Sequence, residues 1–483
     1  MTQLSRRTFL KSLVAGAVVV GFDRATSSWV TSAHAAEQLA PNFPTFDGVL
    51  YTDAATRAEA AEDYGHIIHR TPNAVLKPGS VNDIVRLVRF AKNNNIKISG
   101  RGQGHSTYGQ PQIQGGVVID MSTLNTIHEI GRDYVIADAG LKWHQLLDST
   151  LAQGLTPPVM TDYIELSIGG TLSVGGIGGA SHQHGVQIDN VIELTVVTGE
   201  GNLETCSKNR NKDLFESVLG GLGQFAIIVR AKLKLIRAET SARVFNLFYD
   251  DIETFTGDQT RLIRDGRFDY VEGQVVPKAG GGWNFMLEAV SYYSGNKLPN
   301  NTRLLRNLSY TQGTEVISDT TYFAFLNRLE ATEAFLRSIG VWFLPHPWFD
   351  VFVKSRHVNQ YVGNILETLT LDDTGQGPIL LYPVKTNKFT KPFFRVPDGE
   401  IVFLFDILRT APNIPEVINA MMASNRELFE TNRDLGGNRY AIGAIEFSQA
   451  DWQQHFGNVW NDFRRAKNRY DPCNILGGGQ GIF

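Results

Sequence analysis

A chain of 483 residues, 42% hydrophobic and 19% charged, carries enough apolar material for a sizeable core and has the length of two or three domains. Its formal net charge of -4, with both signs mixed along the sequence, excludes the footprint of a nucleic-acid binder or of a protein held electrostatically on an anionic membrane. Only Cys206 and Cys473 occur; they are too few for a disulfide scaffold and have no metal or redox spacing, although one bridge between them stays open.

The first segment reads as an address. Ser5-Arg6-Arg7-Thr8-Phe9-Leu10-Lys11 has the twin-arginine form, the apolar run from Ser12 to Phe22 is too short to span a bilayer, and Ala33-His34-Ala35 offers a small-residue cleavage site. The expectation is a Tat signal over residues 1–36, export to the periplasm or beyond, and no stable membrane insertion after cleavage. The alternative is an N-terminal anchor or a basic tail. Because that route carries folded proteins, it points to a cofactor inserted before export.

Residues 37–240 alternate between helix and strand. Ser80 can cap a helix whose apolar positions Ile84, Leu87, Val88 and Ala91 fall at helical spacing, and Ile96-Lys97-Ile98-Ser99 alternates as a strand. Gly116 to Asp120 reads as a buried strand, and Trp143, Leu146, Leu147 and Leu151 make one helix face. Val191 to Val197 reads as another strand, closed by the turn Thr198-Gly199-Glu200-Gly201. From 241 to 440 the texture shifts to aromatic-rich stretches such as Val341 to Phe349 and Ile401 to Phe405, which suggests a second domain. No low-complexity linker separates the two, so a shared interface with a ligand cleft is expected.

The chemistry begins at Gly100-Arg101-Gly102-Gln103-Gly104-His105-Ser106, where three glycines in five positions follow a strand and let backbone approach a pyrophosphate closely. The Rossmann spacing is absent, which disfavours a nicotinamide site. Six glycines fill the eleven positions from Gly169 to Gly179, and Leu219 to Phe225 adds a third cluster. Such density suits an extended dinucleotide lying across several loops; ordinary tight turns are the alternative for each cluster taken singly. His182 and His184 could face one side of a strand as metal ligands, but no carboxylate or cysteine nearby completes a set, so no metal site is expected.

Gly104-His105-Ser106 with Gln110, Thr161-Asp162-Tyr163 leading into Gly169-Gly170-Thr171-Leu172-Ser173, and the stretch from His184-Gly185 to Asn190 resemble the PCMH-type FAD domain of the vanillyl-alcohol-oxidase superfamily. Phe268-Asp269-Tyr270-Val271-Glu272-Gly273, Pro345-His346-Pro347-Trp348, Gly377 to Pro383, and the ending Tyr470-Asp471-Pro472 to Phe483 resemble one subgroup of it, the cytokinin dehydrogenases. The likeness runs in order along nearly the whole sequence beyond the signal.

What this resemblance implies is an α+β, two-domain protein: a PCMH-type FAD-binding domain over 37–240, completed by 441–483, and an α+β substrate domain over 241–440. His105 would be joined through a ring nitrogen to the flavin 8α-methyl, with Gly102, Gly104, Ser106 and Gln110 around the cofactor. Ser167, Ser173, Ile177, Ile228 (give or take one position), Tyr440 and Gln480 would also contact FAD. Asp162 would stand at the flavin edge as the catalytic base, since hydride loss from a carbon beside a secondary amine is easiest when the nitrogen lone pair is free to push. A turn cap is the alternative for Asp162. Glu272 would accept from the purine, or equally be a half-exposed strand residue.

The implied reaction oxidises the bond between N6 and the first carbon of the substituent in an N6-substituted adenine, giving an imine that water splits into adenine and an aldehyde. Reduced flavin would pass its electrons to oxygen or a quinone, and a monomer is the default. Tyr440-Ala441-Ile442-Gly443-Ala444-Ile445-Glu446 departs from the plant pattern on one side of the cavity. Glu165, three residues after Asp162, is expected to project away from the flavin. The competing readings are a related oxidase of alcohols or sugars and an exported, non-catalytic purine-binding flavoprotein. Bicovalent relatives of the first kind need a cysteine near 160–185, and none occurs.

Overall fold

The computed structural model describes Gly21–Asp23, Ser28–Val30 and residues 43–483. The twin-arginine motif and the Ala33-His34-Ala35 site lie outside those residues.

The first domain is built on two sheets. Strands Val49–Tyr51, Ala74–Lys77, Val117–Asp120 and Ile98–Arg101 lie side by side in that order, the last three mutually parallel. The crossover between Ala74–Lys77 and Ile98–Arg101 is the helix Val81–Asn94, which buries Ile84, Leu87, Val88 and Ala91 completely, as their spacing requires. Ser80 precedes that helix but does not cap it with its side chain. Its hydroxyl donates to Asp47, while the Asp83 carboxylate accepts from the backbone N–H of Asp47, Gly48 and Gly79. The strand read from Ile96 begins at Ile98, because Ile96 still closes the helix end by donating its N–H to Ala91 O.

The second sheet is antiparallel, in the order Leu203–Ser207, Val191–Thr198, Ala226–Lys234, Tyr134–Asp138, Ile127–Ile130. Helix Trp143–Leu151 buries Trp143, Leu146 and Leu147. Residues 181–184 form a single helical turn rather than a strand, so His182 and His184 do not share a strand face. Cys206 is buried, Cys473 is exposed and both are free thiols.

The second domain is an eight-stranded antiparallel sheet. Its order is Val316–Thr321, Ser241–Tyr249, Trp283–Tyr293, Tyr270–Pro277, Ile379–Lys385, Ile401–Ile407, Phe349–Lys354 and Asn438–Arg439. Side chains alternate across it as the pleat demands. Val271, Leu381, Phe405 and Val351 enter a core private to this domain, whereas Tyr270, Tyr382, Leu404 and Phe352 join the core of the first domain. One face of the sheet is therefore the wall between the domains. The polypeptide then returns to the first domain: helix Trp460–Tyr470 packs on helix Lys212–Val218, and Leu476 bridges to Ile98.

Candidate active site

Strand Ile98–Arg101 leads directly into the glycine-rich loop. At Gly104, φ is +65°, a conformation that favours glycine, and an added Cβ would fall 2.3 Å from the Arg101 guanidinium, which would have to shift. Asp63 holds this loop in place: its carboxylate accepts from Gly109 N (2.6 Å), Gly65 N (3.2 Å) and Ser106 Oγ (3.2 Å). Burial pushes the Asp63 carboxyl up to about 7, against the pull of these donors and of Arg101.

His105 sits in an aromatic box. It stacks on Tyr64 (4.1 Å between centroids) and on Tyr163 (4.6 Å), with Trp342 and Trp348 each 5.8 Å away. Burial among these rings, helped by the nearby His346 and Arg337, pushes its imidazole down to about 3, so the ring is neutral. The second domain supplies half of the box, Trp342 and Trp348. His346 donates its backbone N–H to Gly65 O and stacks on Tyr64 at 4.1 Å, which seats the Pro345-His346-Pro347-Trp348 run over the loop. Of the adjacent aromatic residues, Phe349 is core and Phe343 is exposed.

Asp162 meets the inter-domain wall. Its Oδ1 accepts from Tyr270 Oη at 2.5 Å and from Arg328 Nη2 at 2.8 Å. The same guanidinium lies 3.4 Å from Glu272 and 3.4 Å from Glu288. Glu272 and Glu288 face each other across neighbouring strands, a like-charge arrangement that is unfavourable unless a cation or protons intervene. Burial pushes both carboxyls up; for Glu272 the shift is large, with the charge of Asp162 adding to it. Glu272 is 2% exposed, which excludes the half-exposed alternative, and its Oε1 meets no donor. Beside Asp162 opens a cleft of about 250 Å³, bounded by Tyr163, Asn327, Glu333 and Arg337. Glu165 lines the same cleft, contrary to the expectation that it points away, but Lys142 Nζ and His144 Nδ1 hold its carboxylate at 2.8 Å each.

The remaining residues expected at a cofactor come together from five segments. Gly102 lies against Ser167, where an added Cβ would fall 2.0 Å from Oγ. Gln110 takes the Tyr108 N–H on its Oε1 and reaches Ile442 O at 3.4 Å. Ser173 turns its hydroxyl inward to Gly169 O (2.7 Å), while Ile177 is buried. Tyr440 Oη accepts from Gly176 N at 3.3 Å. Ile228 is buried in strand Ala226–Lys234, whereas its neighbour Ile227 is the residue facing Gly100. Gln480 accepts on its backbone oxygen from Trp452 Nε1 (3.1 Å), and Gly479 beside it packs on the carbonyls of Gly109, Gln110 and Gln112. Three glycine clusters and the C-terminus thus pack on one another, and backbone left bare by glycine suits the close approach of an extended dinucleotide such as FAD.

His182 is not a ligand. Burial pushes it down to about 4, and its ring nitrogens lie 2.7 Å from Gly179 O and 3.2 Å from Phe268 O. Among the described residues no cluster of His, Cys, Asp and Glu could hold a metal, and no helix is long and apolar enough to cross a membrane. Sequence reasoning missed Asp63, Tyr270, Glu288 and Arg328 as site residues. Tyr270 was accessible in principle, because strand alternation puts it on the face of Glu272. Arg328 has no signal in its neighbours Asn327 and Leu329.

Comparison with known proteins agrees with this geometry. Residues 72–207 match the family model described as FAD binding domain, and residues 276–483 match the one described as cytokinin dehydrogenase 1, FAD and cytokinin binding. An oxidoreductase of the fasciation locus of Rhodococcoides fascians is 40% identical over 432 residues, covering 89% of this protein and 98% of its own length. Cytokinin dehydrogenase 2 of Arabidopsis thaliana is 36% identical over 472 residues (90% and 93%), and cytokinin dehydrogenase 7 of Oryza sativa subsp. japonica is 36% identical over 479 residues (90% and 91%). With two relatives of that name matched over nearly their full length, and both halves of the molecule matched by the corresponding models, this protein belongs to the cytokinin dehydrogenase family of FAD-linked oxidoreductases.

Proposed function

We propose that this protein oxidises N6-substituted adenines, transferring hydride from the carbon attached to N6 to FAD and releasing adenine and an aldehyde after hydrolysis of the imine. The observation that carries this reading is the Asp162 carboxylate, fixed through Oδ1 by Tyr270 and Arg328 at the edge of the cleft, beside a buried Glu272 with one oxygen unpartnered. Asp162 Oδ2, which makes no bond to Tyr270 or Arg328, accepts the proton of the amine N–H while the carbon gives up its hydride. FAD, when bound, supplies the hydride acceptor. Burial pushes Glu272 toward its protonated form, in which it would donate a hydrogen bond to a purine nitrogen in place of the accepting role the resemblance implies. The relatives favour neither an alcohol or sugar oxidase nor a non-catalytic binder.

His105 is the residue we assign to covalent attachment. A nucleophilic imidazole must be neutral, and burial in the aromatic box keeps it so across the physiological range. The contacts of Gly102, Gly104, Ser106, Gln110, Ser167, Ser173, Ile177, Tyr440 and Gln480 support their assignment to the same cofactor. Ile228 stays in the set with Ile227 as the alternative by one position. The twin-arginine segment supports export of a monomer already loaded with FAD, with oxygen or a quinone as final acceptor.

Anaerobic addition of isopentenyladenine to the purified protein tests the activity: the flavin absorbance bleaches, and Asp162→Asn slows the bleaching at least a hundredfold. In the same preparation, yellow colour stays with acid-precipitated wild type and leaves His105→Ala. Flavin that ignores the adenine derivative rejects the substrate, and colour that washes out of the wild type rejects the linkage. Recovery from the periplasm, abolished by Arg6→Lys with Arg7→Lys, tests the export.

A further inference from the structure

Arg328 is bonded to Asp162, the carboxylate at the edge of the cleft. One guanidinium stands among three carboxyls and a phenol, and the four groups are treated unequally. Its Nη2 lies 2.8 Å from Asp162 Oδ1 and 2.6 Å from Tyr270 Oη, but 3.4 Å from both Glu272 Oε2 and Glu288 Oε2. Tyr270 Oη adds a second donor to the same Asp162 oxygen at 2.5 Å. The short, charge-assisted contact therefore goes to Asp162 and the long ones go to the two glutamates. Three negative charges around one positive charge would leave the buried wall with a net charge of minus two, which a site of this burial does not support. Burial pushes the Glu272 and Glu288 carboxyls toward their neutral forms, which lowers that excess. The arginine itself is held from below: the guanidinium lies over the rings of Phe325 (4.7 Å) and Tyr270 (5.2 Å), and Nη1 reaches Phe325 O at 3.4 Å.

The asymmetry at Asp162 has a mechanistic consequence. Both donors occupy Oδ1, so Oδ2 has no share in the clamp and the carboxylate cannot rotate without breaking two bonds at once. An acceptor fixed in this way meets an incoming N–H without reorganising, which is where oriented groups contribute most to rate.

We propose that Arg328 is the positioning residue of this site: it selects Asp162 as the one carboxyl of the three that carries negative charge, and it turns Oδ2 toward the substrate amine as the proton-accepting atom. The step balances: the C–H bond breaks with its electron pair leaving as hydride to FAD, the N–H bond breaks with its proton going to Asp162 Oδ2, and a C=N double bond forms. The proposal rests on the adenine reading, because it assigns an amine N–H to that oxygen. The charged and titratable groups that face the guanidinium are Asp162, Glu272, Glu288 and Tyr270, so loss of the cation lets the three carboxyls compete for one charge.

The test uses the holoenzyme and follows flavin reduction by isopentenyladenine in an anaerobic stopped-flow instrument from pH 5.5 to 9, for wild type, Arg328→Met and Arg328→Lys. Expected for Arg328→Met is a limiting reduction rate down about a hundredfold at pH 7, an apparent Kd changed less than about threefold, and an acid limb moved at least one unit higher in pH. Arg328→Lys, which keeps the charge and loses the fork, recovers about tenfold of the rate and most of the pH shift. A merely structural arginine would lower flavin content or raise Kd and leave the pH limb in place, and that result overturns the proposal. So does a lysine variant no better than methionine. If Arg328→Met does not fold, the lysine variant carries the test alone: an unchanged rate, or a loss that comes with lower flavin content or a raised Kd, rejects the proposal, and a rate reduced about tenfold at full flavin content, with Kd changed less than about threefold and the acid limb close to that of the wild type, supports it. Wild type that is not reduced at all rejects the substrate reading itself, a failure separate from wild type that is reduced normally beside unaffected arginine variants.

Discussion

At the residue scale, the site depends on small clearances as much as on charges. Gly179 shows this. Its backbone does not adopt the left-handed conformation, yet a Cβ there would fall 2.6 Å from ring carbons of Tyr270, the phenol that clamps Asp162. Gly179→Ala should therefore fold, at a cost of about 1–3 kcal/mol for the crowded ring. It should slow flavin reduction by tenfold or more, because Tyr270 can no longer reach Oδ1. Thermal unfolding and anaerobic reduction, measured on one preparation, separate the two effects; a variant that loses stability but not rate would show that Tyr270 is dispensable. The same residues show what sequence can disclose. His105, Asp162 and Glu272 lie inside motifs whose order and spacing carry information. Asp63 and Arg328 reach the site from segments with no motif, and only the fold brings them there, 42 residues before His105 and 56 after Glu272 in number. Glu165 departs from expectation for a related reason: its direction is set by Lys142 and His144, partners that strand alternation cannot anticipate.

At the scale of elements, helical and strand periodicity predicts the first domain well. The helix Val81–Asn94 buries the four residues its spacing selects, while its start depends on Asp83 rather than on the Ser80 side chain. The large sheet is harder to read because both faces are buried, which erases the polar alternation that marks a strand: Ile401–Ile407 is buried throughout. One pair of residues in it has a measurable consequence. Asp350 and Asp406 are direct partners on adjacent strands and both are buried, with both Asp350 oxygens and Asp406 Oδ1 lacking a hydrogen-bond partner. Burial pushes Asp350 up to about 7 and Asp406 well above its ordinary range. Below about pH 4 the pair is protonated in both the folded and the unfolded protein, and its contribution to stability is whole. As pH rises the unfolded protein releases its protons first, so stability falls from about pH 4 upward, through about pH 7 on account of Asp350, with Asp406 adding to the fall. Asp406→Asn supplies a permanent donor to Asp350 and removes one acid. It should raise stability at pH 8 by about 1–3 kcal/mol and flatten the dependence of Tm on pH over that interval. A Tm profile parallel to that of the wild type would mean that this pair does not set the pH dependence of stability.

For the whole molecule, the question is how the five separate segments assigned to the cofactor are kept together. The C-terminal residues do much of this. Leu476 bridges to Ile98, two residues before the glycine-rich loop begins, and Arg70 Nη1 reaches both Gly109 O (3.0 Å) and Gly479 O (3.1 Å). Beneath that junction Lys467 is 2% exposed and donates to Asp471 Oδ2 (2.8 Å), Leu476 O (2.9 Å) and Gln224 O (3.0 Å), tying the C-terminal segment to the third glycine cluster. Asp471 completes the knot by accepting from Ile475 N and Leu476 N. Burial alone would drive the lysine toward its neutral form, so its charge persists through Asp471. Lys467→Met leaves a buried carboxylate and two carbonyls without their donor, and should cost about 3–5 kcal/mol. Because Leu476 and Gly479 would loosen with it, flavin content should fall along with Tm, although Lys467 is assigned no contact with the cofactor. Pairing Lys467→Met with Asp471→Asn removes the stranded charge and should restore part of the stability. Thermal unfolding together with the flavin-to-protein absorbance ratio decides the matter: if Tm drops while the ratio stays at the wild-type value, the C-terminal segment stabilises the fold without shaping the flavin surface.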